Sequence, residues 1–135
     1  MVLSVSRRIT TFALSLAMLG TSSGFPLWAD YTINGGQSVT VDNVAGTPTS
    51  ITEPGNITIN GILRGREVVA PGGALTGNGG HIVLTSTGGI IAIGSAGQVN
   101  VSATLNGGNG GTLTLNGPVI TVDGLLSTNG LTTGS

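Results

Sequence analysis

The segment Ile57-Thr58-Ile59-Asn60-Gly61-Ile62-Leu63 returns, type for type, as Ile120-Thr121-Val122-Asp123-Gly124-Leu125-Leu126. A chain that echoes itself in this way builds its core by stacking like on like, because one short unit cannot bury its own apolar face. Within the units the apolar residues alternate with Thr or Asn, as in Ile57/Ile59, Val99/Val101, Leu113/Leu115 and Ile120/Val122. A period of two puts the aliphatic side chains on one face of a strand and the polar ones on the other. The expected inward residues are therefore Ile57, Ile59, Leu113, Leu115, Ile120 and Val122. No segment after residue 29 carries a 3.6-residue apolar period long enough for a helix, so the fold class is all-β.

The offset of 63 is three times 21, and Val99-Asn100-Val101-Ser102 precedes the second copy by 21. Asn78–Leu84 also resembles Asn109–Leu115, at an offset of 31, so insertions interrupt the period. A unit in the low twenties suits a short parallel β-helix, a solenoid of roughly five coils. The alternative is a small antiparallel β-sandwich. Strands are predicted near Tyr31–Ile33, Ser38–Val41, Asn56–Ile59, Glu67–Val69, His81–Leu84, Ile90–Ile93, Gln98–Val101, Thr112–Leu115 and Val119–Val122. Asn-Gly pairs at Asn34, Asn60, Asn78, Asn106, Asn109, Asn116 and Asn129, with Asp123-Gly124, are read as turns. The same pairs also mark hairpins, so turn chemistry does not choose between the two folds.

Composition narrows the choice. Charged residues are 7% of the 135-residue chain and glycines number 25, without a collagen period. There is no cysteine, hence no disulfide framework and no thiolate metal site. The N-terminal segment carries Arg7 and Arg8, then the apolar run Ile9–Leu19, then small residues up to Ala29. That is the order of a secretory signal peptide, and the run is too short to span a bilayer. The expected domains are a signal peptide over 1–29, cleaved after Ala29, and a β-solenoid domain over 30–135. The expected localisation is secreted or cell-surface, after export across the inner membrane. In the remaining part Tyr31 is the one aromatic, and Arg64 and Arg66 stand against Asp30, Asp42, Glu53, Glu67 and Asp123. An interior of Val, Ile, Leu and Ala suits a narrow stacked core better than a sandwich.

The run Gly107–Gly117, followed by Val119-Ile120-Thr121-Val122-Asp123-Gly124, resembles the coils of filamentous-haemagglutinin-like and autotransporter-type bacterial exoproteins. The resemblance covers about residues 55–130. It implies a right-handed parallel β-helix displayed on or shed from the cell surface, with adhesin-like character. The chain has neither the Asn-Pro-Asn type secretion motif nor the C-terminal barrel of those families, which implies a short relative or a fragment.

Residues that could carry chemistry are few. Gly107–Leu113 is similar to a calcium nonapeptide, but Thr112 stands where that motif needs Asp. His81 is the single histidine and reads as a solvated strand end. Arg64, Arg66 and Glu67 form the one charge cluster and read as a solvated loop. Glu53 and Glu67 could approach across coils as paired carboxylates do. Asn56-Ile57-Thr58 and Asn100-Val101-Ser102 are glycosylation sequons, common by chance in such a chain. Without lysine there is no P-loop, and net negative charge disfavours nucleic acid. The expectation is no enzyme, no catalytic or metal residue and no cofactor. The expected role is a structural or adhesin-like surface protein, with cell-surface glycans or matrix proteins as partners and end-to-end self-association. The alternatives are an ice-binding solenoid, from Thr58, Thr112, Thr114 and Thr121, and a carbohydrate-active β-helix enzyme. The C-terminal coil is expected to be uncapped.

Overall fold

The computed structural model describes residues 29–130, and the signal-peptide reading lies almost wholly outside them. Twelve strands occur among the described residues, and no helix. They are β1 (Tyr31–Ile33), β2 (Ser38–Val44), β3 (Thr49–Glu53), β4 (Ile57–Ile59), β5 (Ile62–Val68), β6 (Leu75–Gly79), β7 (His81–Ser86), β8 (Ile90–Ile93), β9 (Gln98–Asn100), β10 (Thr112–Asn116), β11 (Val119–Val122) and β12 (Leu125–Ser127). The chain visits three sheets in rotation. One sheet has the order β1-β4-β8-β11, the second β2-β5-β9-β12, and the third β3-β7-β10. Every pairing in these orders is parallel. Parallel neighbours need a long crossover. Here the strands of the other two sheets make that crossover, so each pass is laid on the previous one.

The antiparallel sandwich is therefore overturned. Its one trace among the described residues is the β5–β6 pair, with Val68 opposite Leu75 and Arg66 opposite Gly79. β6 is an excursion that leaves the second half of β5 and returns before β7. The predicted strand list lacks β3, β6 and β12, and Glu67–Val69 is the end of the longer β5.

The registers revise the period. Ile57 pairs with Ile91, and Ile91 pairs in turn with Ile120. The echo from Ile57 to Ile120 thus spans two passes, not three, and the described residues make three passes and part of a fourth rather than five. The spacing from Val99 to Ile120 joins two different sheets, because Val99 is level with Leu63 and Leu126. The echo of Asn78–Leu84 in Asn109–Leu115 is one true pass, with His81 level with Thr112.

The core is a set of stacked aliphatic columns. Ile33, Ile59 and Ile93 form one, Ile57 and Ile91 a second, Leu63 and Val99 a third, and Ile82 and Leu84 face them. All are essentially without exposure. Leu113 and Leu115 pack partly against this core. Ile120 and Val122 are level with buried Ile91 and Ile93 but are each 41% exposed, because they lie in the last rung among the described residues. Their inward orientation holds; their burial does not.

Corners are built by close approach more than by backbone handedness. Of the Asn-Gly and Asp-Gly glycines, Gly107 alone has positive φ among the described residues. At Gly61 a Cβ would collide with the carbonyl oxygens of Asn34 and Gln37, one pass earlier. At Gly124 it would meet those of Gly94 and Gly97. Asn78-Gly79 is no turn at all, since it lies inside β6.

Candidate functional site

Polar side chains at the corners join one pass to the next. Asp30 Oδ1 accepts from Asn56 N (2.7 Å), and Asn56 Oδ1 from Ile90 N (3.0 Å). Asn43 Oδ1 accepts from His81 N (2.8 Å), Asn78 Oδ1 from Asn109 N (3.0 Å) and Ser102 Oγ from Asn129 N (3.1 Å). In each case the acceptor belongs to the earlier segment and the backbone donor to the later one. These bonds satisfy N–H groups where the ladders break at corners. Asn56 and Asn100, the two sequon asparagines, both use their Oδ1 in this way or locally, Asn100 accepting from Ser102 N.

The densest group of functional side chains surrounds the excursion. Glu67 is buried at the end of β5. Its Oε1 accepts from Thr76 Oγ1 and Asn78 Nδ2, both at 2.7 Å and both on β6. These bonds, with help from His81, hold its carboxyl below the usual carboxylate range against the opposing effect of burial. His81 Nε2 lies 3.7 Å from Glu67 Oε2, and its Nδ1 lies 2.8 Å from Thr112 Oγ1. A hydroxyl, an imidazole and a carboxylate thus stand in a row. Glu67, read from the sequence as part of a solvated loop, is buried; His81 begins β7 as expected and is half-buried, with both ring nitrogens facing polar partners. Thr76 and Asn43 carry no sequence signal of this role, and Asn78 is read from the sequence only as a turn residue; the alternation of Thr76 with Asn78 around a small Gly77 is the signal that bears on it.

Acyl transfer needs free N–H donors aimed at the developing oxyanion. Four of the neighbouring N–H groups are engaged: Gly79 to Asn109 O, Gly80 to Gly65 O, Gly111 to Val101 O and Thr112 to Gly80 O. No group of three His, Asp or Glu that could hold a metal ion occurs among the described residues. The arrangement pins β6 onto β5.

The other charged residues are dispersed. Arg66 makes a bidentate pair with Asp42, Nε to Oδ1 at 2.7 Å and NH2 to Oδ2 at 2.8 Å, one pass apart on the second sheet. Both side chains are more than a third exposed, so the pair contributes ~1 kcal/mol at most. Arg64 points outward between Thr40 and Asn100. Glu53 lies on the third sheet near Asp30 and Tyr31 and is not paired with Glu67. Burial, then the charge of Asp30, raises the Glu53 carboxyl. Burial, then Glu53, pushes the Tyr31 phenol up to about 12.

The outward columns are short and mixed. On the first sheet Thr32, Thr58, Ala92 and Thr121 are level. On the third, Ser50, Val83 and Thr114 form one column and Thr52, Thr85 and Asn116 another. Thr112 stacks on His81 rather than on another Thr. No family model, no curated protein and no solved structure matches the chain.

Proposed function

We propose that this chain is an exported parallel β-helix that serves as a rigid structural or adhesin-like element at the cell surface, with no chemistry of its own. The observation that carries the reading is the rotation of the chain through three parallel sheets with every aliphatic column in register. Such stacking gives a stiff body whose outer face is largely Thr, Ser and Asn, interrupted by Val83, Ala92, His81 and Arg64. The leader over residues 1–29, with its Arg pair, short apolar run and Ala29, supports export. Likeness of the Gly107–Gly124 segment to filamentous-haemagglutinin-like coils supports the surface role. Cell-surface glycans or matrix proteins are the partners that a polar, weakly charged face would meet through hydrogen bonds. The dispersed carboxylates speak against a carbohydrate-active enzyme. The interruptions at Ala92, Val83 and His81 speak against an ordered ice-binding array.

Intact-mass measurement of the exported species is the test of processing, with a mature chain starting at Asp30 expected. The binding role is tested on that species with glycan and matrix-protein arrays. Saturable binding to one class, lost when the outward Thr58 and Thr121 are replaced by Lys, is expected. An uncleaved chain retained in the cytoplasm would overturn the reading.

A further inference from the structure

Seven Asn-Gly pairs lie among the described residues, at Asn34, Asn60, Asn78, Asn106, Asn109, Asn116 and Asn129. Each sets the amide carbon Cγ of an Asn beside a backbone nitrogen that no side chain shields. That nitrogen reaches Cγ only if the peptide plane between the two residues is free to rotate.

Six of the seven planes are held. Gln37 N donates to Asn34 O at 3.0 Å, and Asn34 N donates to Gln37 Oε1 at 2.8 Å. Gly61 N donates to Ile33 O at 3.0 Å. Gly79 N donates to Asn109 O at 2.8 Å, which fixes the planes after Asn78 and Asn109 together. Asn78 is tied further, through Nδ2 to Glu67 and through Oδ1 to Asn109 N. Ala103 N donates to Asn129 O at 2.8 Å. Asn116 ends β10 level with Thr85, its Nδ2 3.4 Å from Thr85 Oγ1, and Pro118 restricts Gly117.

Asn106-Gly107 differs. Leu105–Gly108 is a turn closed by Gly108 N donating to Leu105 O at 3.0 Å, and Gly107 has a φ of 84°, as the third residue of a type II turn does. The Asn106–Gly107 peptide is the central one of this turn. Types I and II differ by rotation of that peptide, so it turns without breaking the closing bond. Neither Asn106 O nor Gly107 N meets a backbone partner among the described residues. Both residues are exposed, and a Cβ built on Gly107 would have open space around it. The loop itself stays seated on β6, because Thr104 N and Leu105 N both donate to Gly77 O. Reaction at this pair therefore requires no unfolding.

We propose that Asn106 is a deamidation site, converted in the folded chain ahead of the other six Asn-Gly pairs. Gly107 N bonds to Asn106 Cγ while its proton passes through water to Nδ2. The Cγ–Nδ2 bond breaks and the nitrogen leaves as ammonia. Water then opens the resulting succinimide at one or the other of its two carbonyls, giving aspartate or isoaspartate. Loss of ammonia makes the change one-way, so it accumulates with the age of the chain. It sets a new carboxylate beside the exposed Leu105, in a stretch where Asp123 is otherwise the one carboxylate after Glu67.

The test incubates the purified chain at mildly alkaline pH, folded and in urea, with peptide mapping by mass spectrometry over time. In the folded chain the Asn106 peptide is expected to gain about 1 Da first, with isoaspartate among its products. It should lead the other pairs by about tenfold or more, because they must first give up a backbone hydrogen bond or a ladder position. In urea the seven rates should converge. The Asn106→Gln variant, changed at an exposed turn position, should fold as wild type and lose the early acidic form on ion exchange. Conversion of Asn34 or any other pair ahead of Asn106 in the folded chain would overturn the proposal. So would an Asn106 that converts in urea but not in the folded chain, or an early acidic form that survives Asn106→Gln.

Discussion

Truncating one aliphatic column at two heights measures how far stacking, rather than local strand preference, stabilises this fold. Ile91 and Ile120 are level neighbours on β8 and β11 with the same chemistry. Ile91 is 0% exposed and Ile120 is 41% exposed. Ile91→Ala removes about three methylene equivalents at ~0.8 kcal/mol each, about 2.4 kcal/mol of transfer free energy. Neighbours above and below hold the cavity open, which raises the cost to about 3–4 kcal/mol. Ile120→Ala loses roughly three-fifths of the transfer contribution, about 1.4 kcal/mol, and water fills the open side without a cavity penalty. The difference of about 2 kcal/mol is readable in urea denaturation followed by circular dichroism. Equal costs at the two positions would refute the reasoning, because they would mean that the last rung is as enclosed as the third. Local β propensity, identical for the two substitutions, cannot produce the expected difference.

Gly79→Ala is expected to cost more than about 3 kcal/mol, because its Cβ would collide with the Val101 carbonyl oxygen, while Gly117→Ala, with contacts of 3.4 Å or more, should be close to neutral; thermal melting of the pair decides this. The Glu67 carboxyl is held low in the folded state, so its contribution is present above the ordinary carboxylate range and is lost as pH falls through its lowered value. Glu67→Gln should therefore lower stability at pH 7 by about 1–2 kcal/mol and flatten the acid limb of a pH–stability profile. Glu53 has the opposite sign: its carboxyl is raised, so the folded state binds the proton more tightly and stability improves as pH falls through that raised value. Glu53→Gln should raise the melting temperature slightly at pH 7, by less than about 1 kcal/mol in stability, with the gain vanishing in acid. Unchanged pH profiles in both variants would contradict these assignments.

Strand chemistry was legible because it is local. Alternation of Ile with Thr over Ile57–Ile59 and Ile120–Val122 assigns faces whatever the strand pairs with. The all-β class, the inward set and the stacked aliphatic core follow from that alternation and from the want of aromatic residues. Pass length was not legible. It depends on how much chain each circuit spends off the stacked ladders, and the β6 excursion and the segment after β9 are long Gly-rich stretches whose cost to the chain grows only slowly with length. Hence the interval from Ile57 to Ile120 could be divided by three from the sequence, while the hydrogen-bond registers divide it by two.

The polar cluster was hidden for the same reason. Glu67, Thr76 and Asn78 meet because β6 turns back on β5, and His81 meets Thr112 because one pass of the chain ends level with the start of β7. Asn-Gly pairs announced corners through their backbone preferences, but a preference states only what a residue tolerates. At Gly61 and Gly124 the requirement is imposed by carbonyl oxygens of the pass below, and at Asn78-Gly79 the pairing with β5 overrides the turn preference altogether. Local alternation thus determined which side of each strand faces inward. Which residue lies above which, and so which polar side chains touch, was decided by the stacking of distant passes, because contact across a parallel ladder depends on chain length consumed elsewhere.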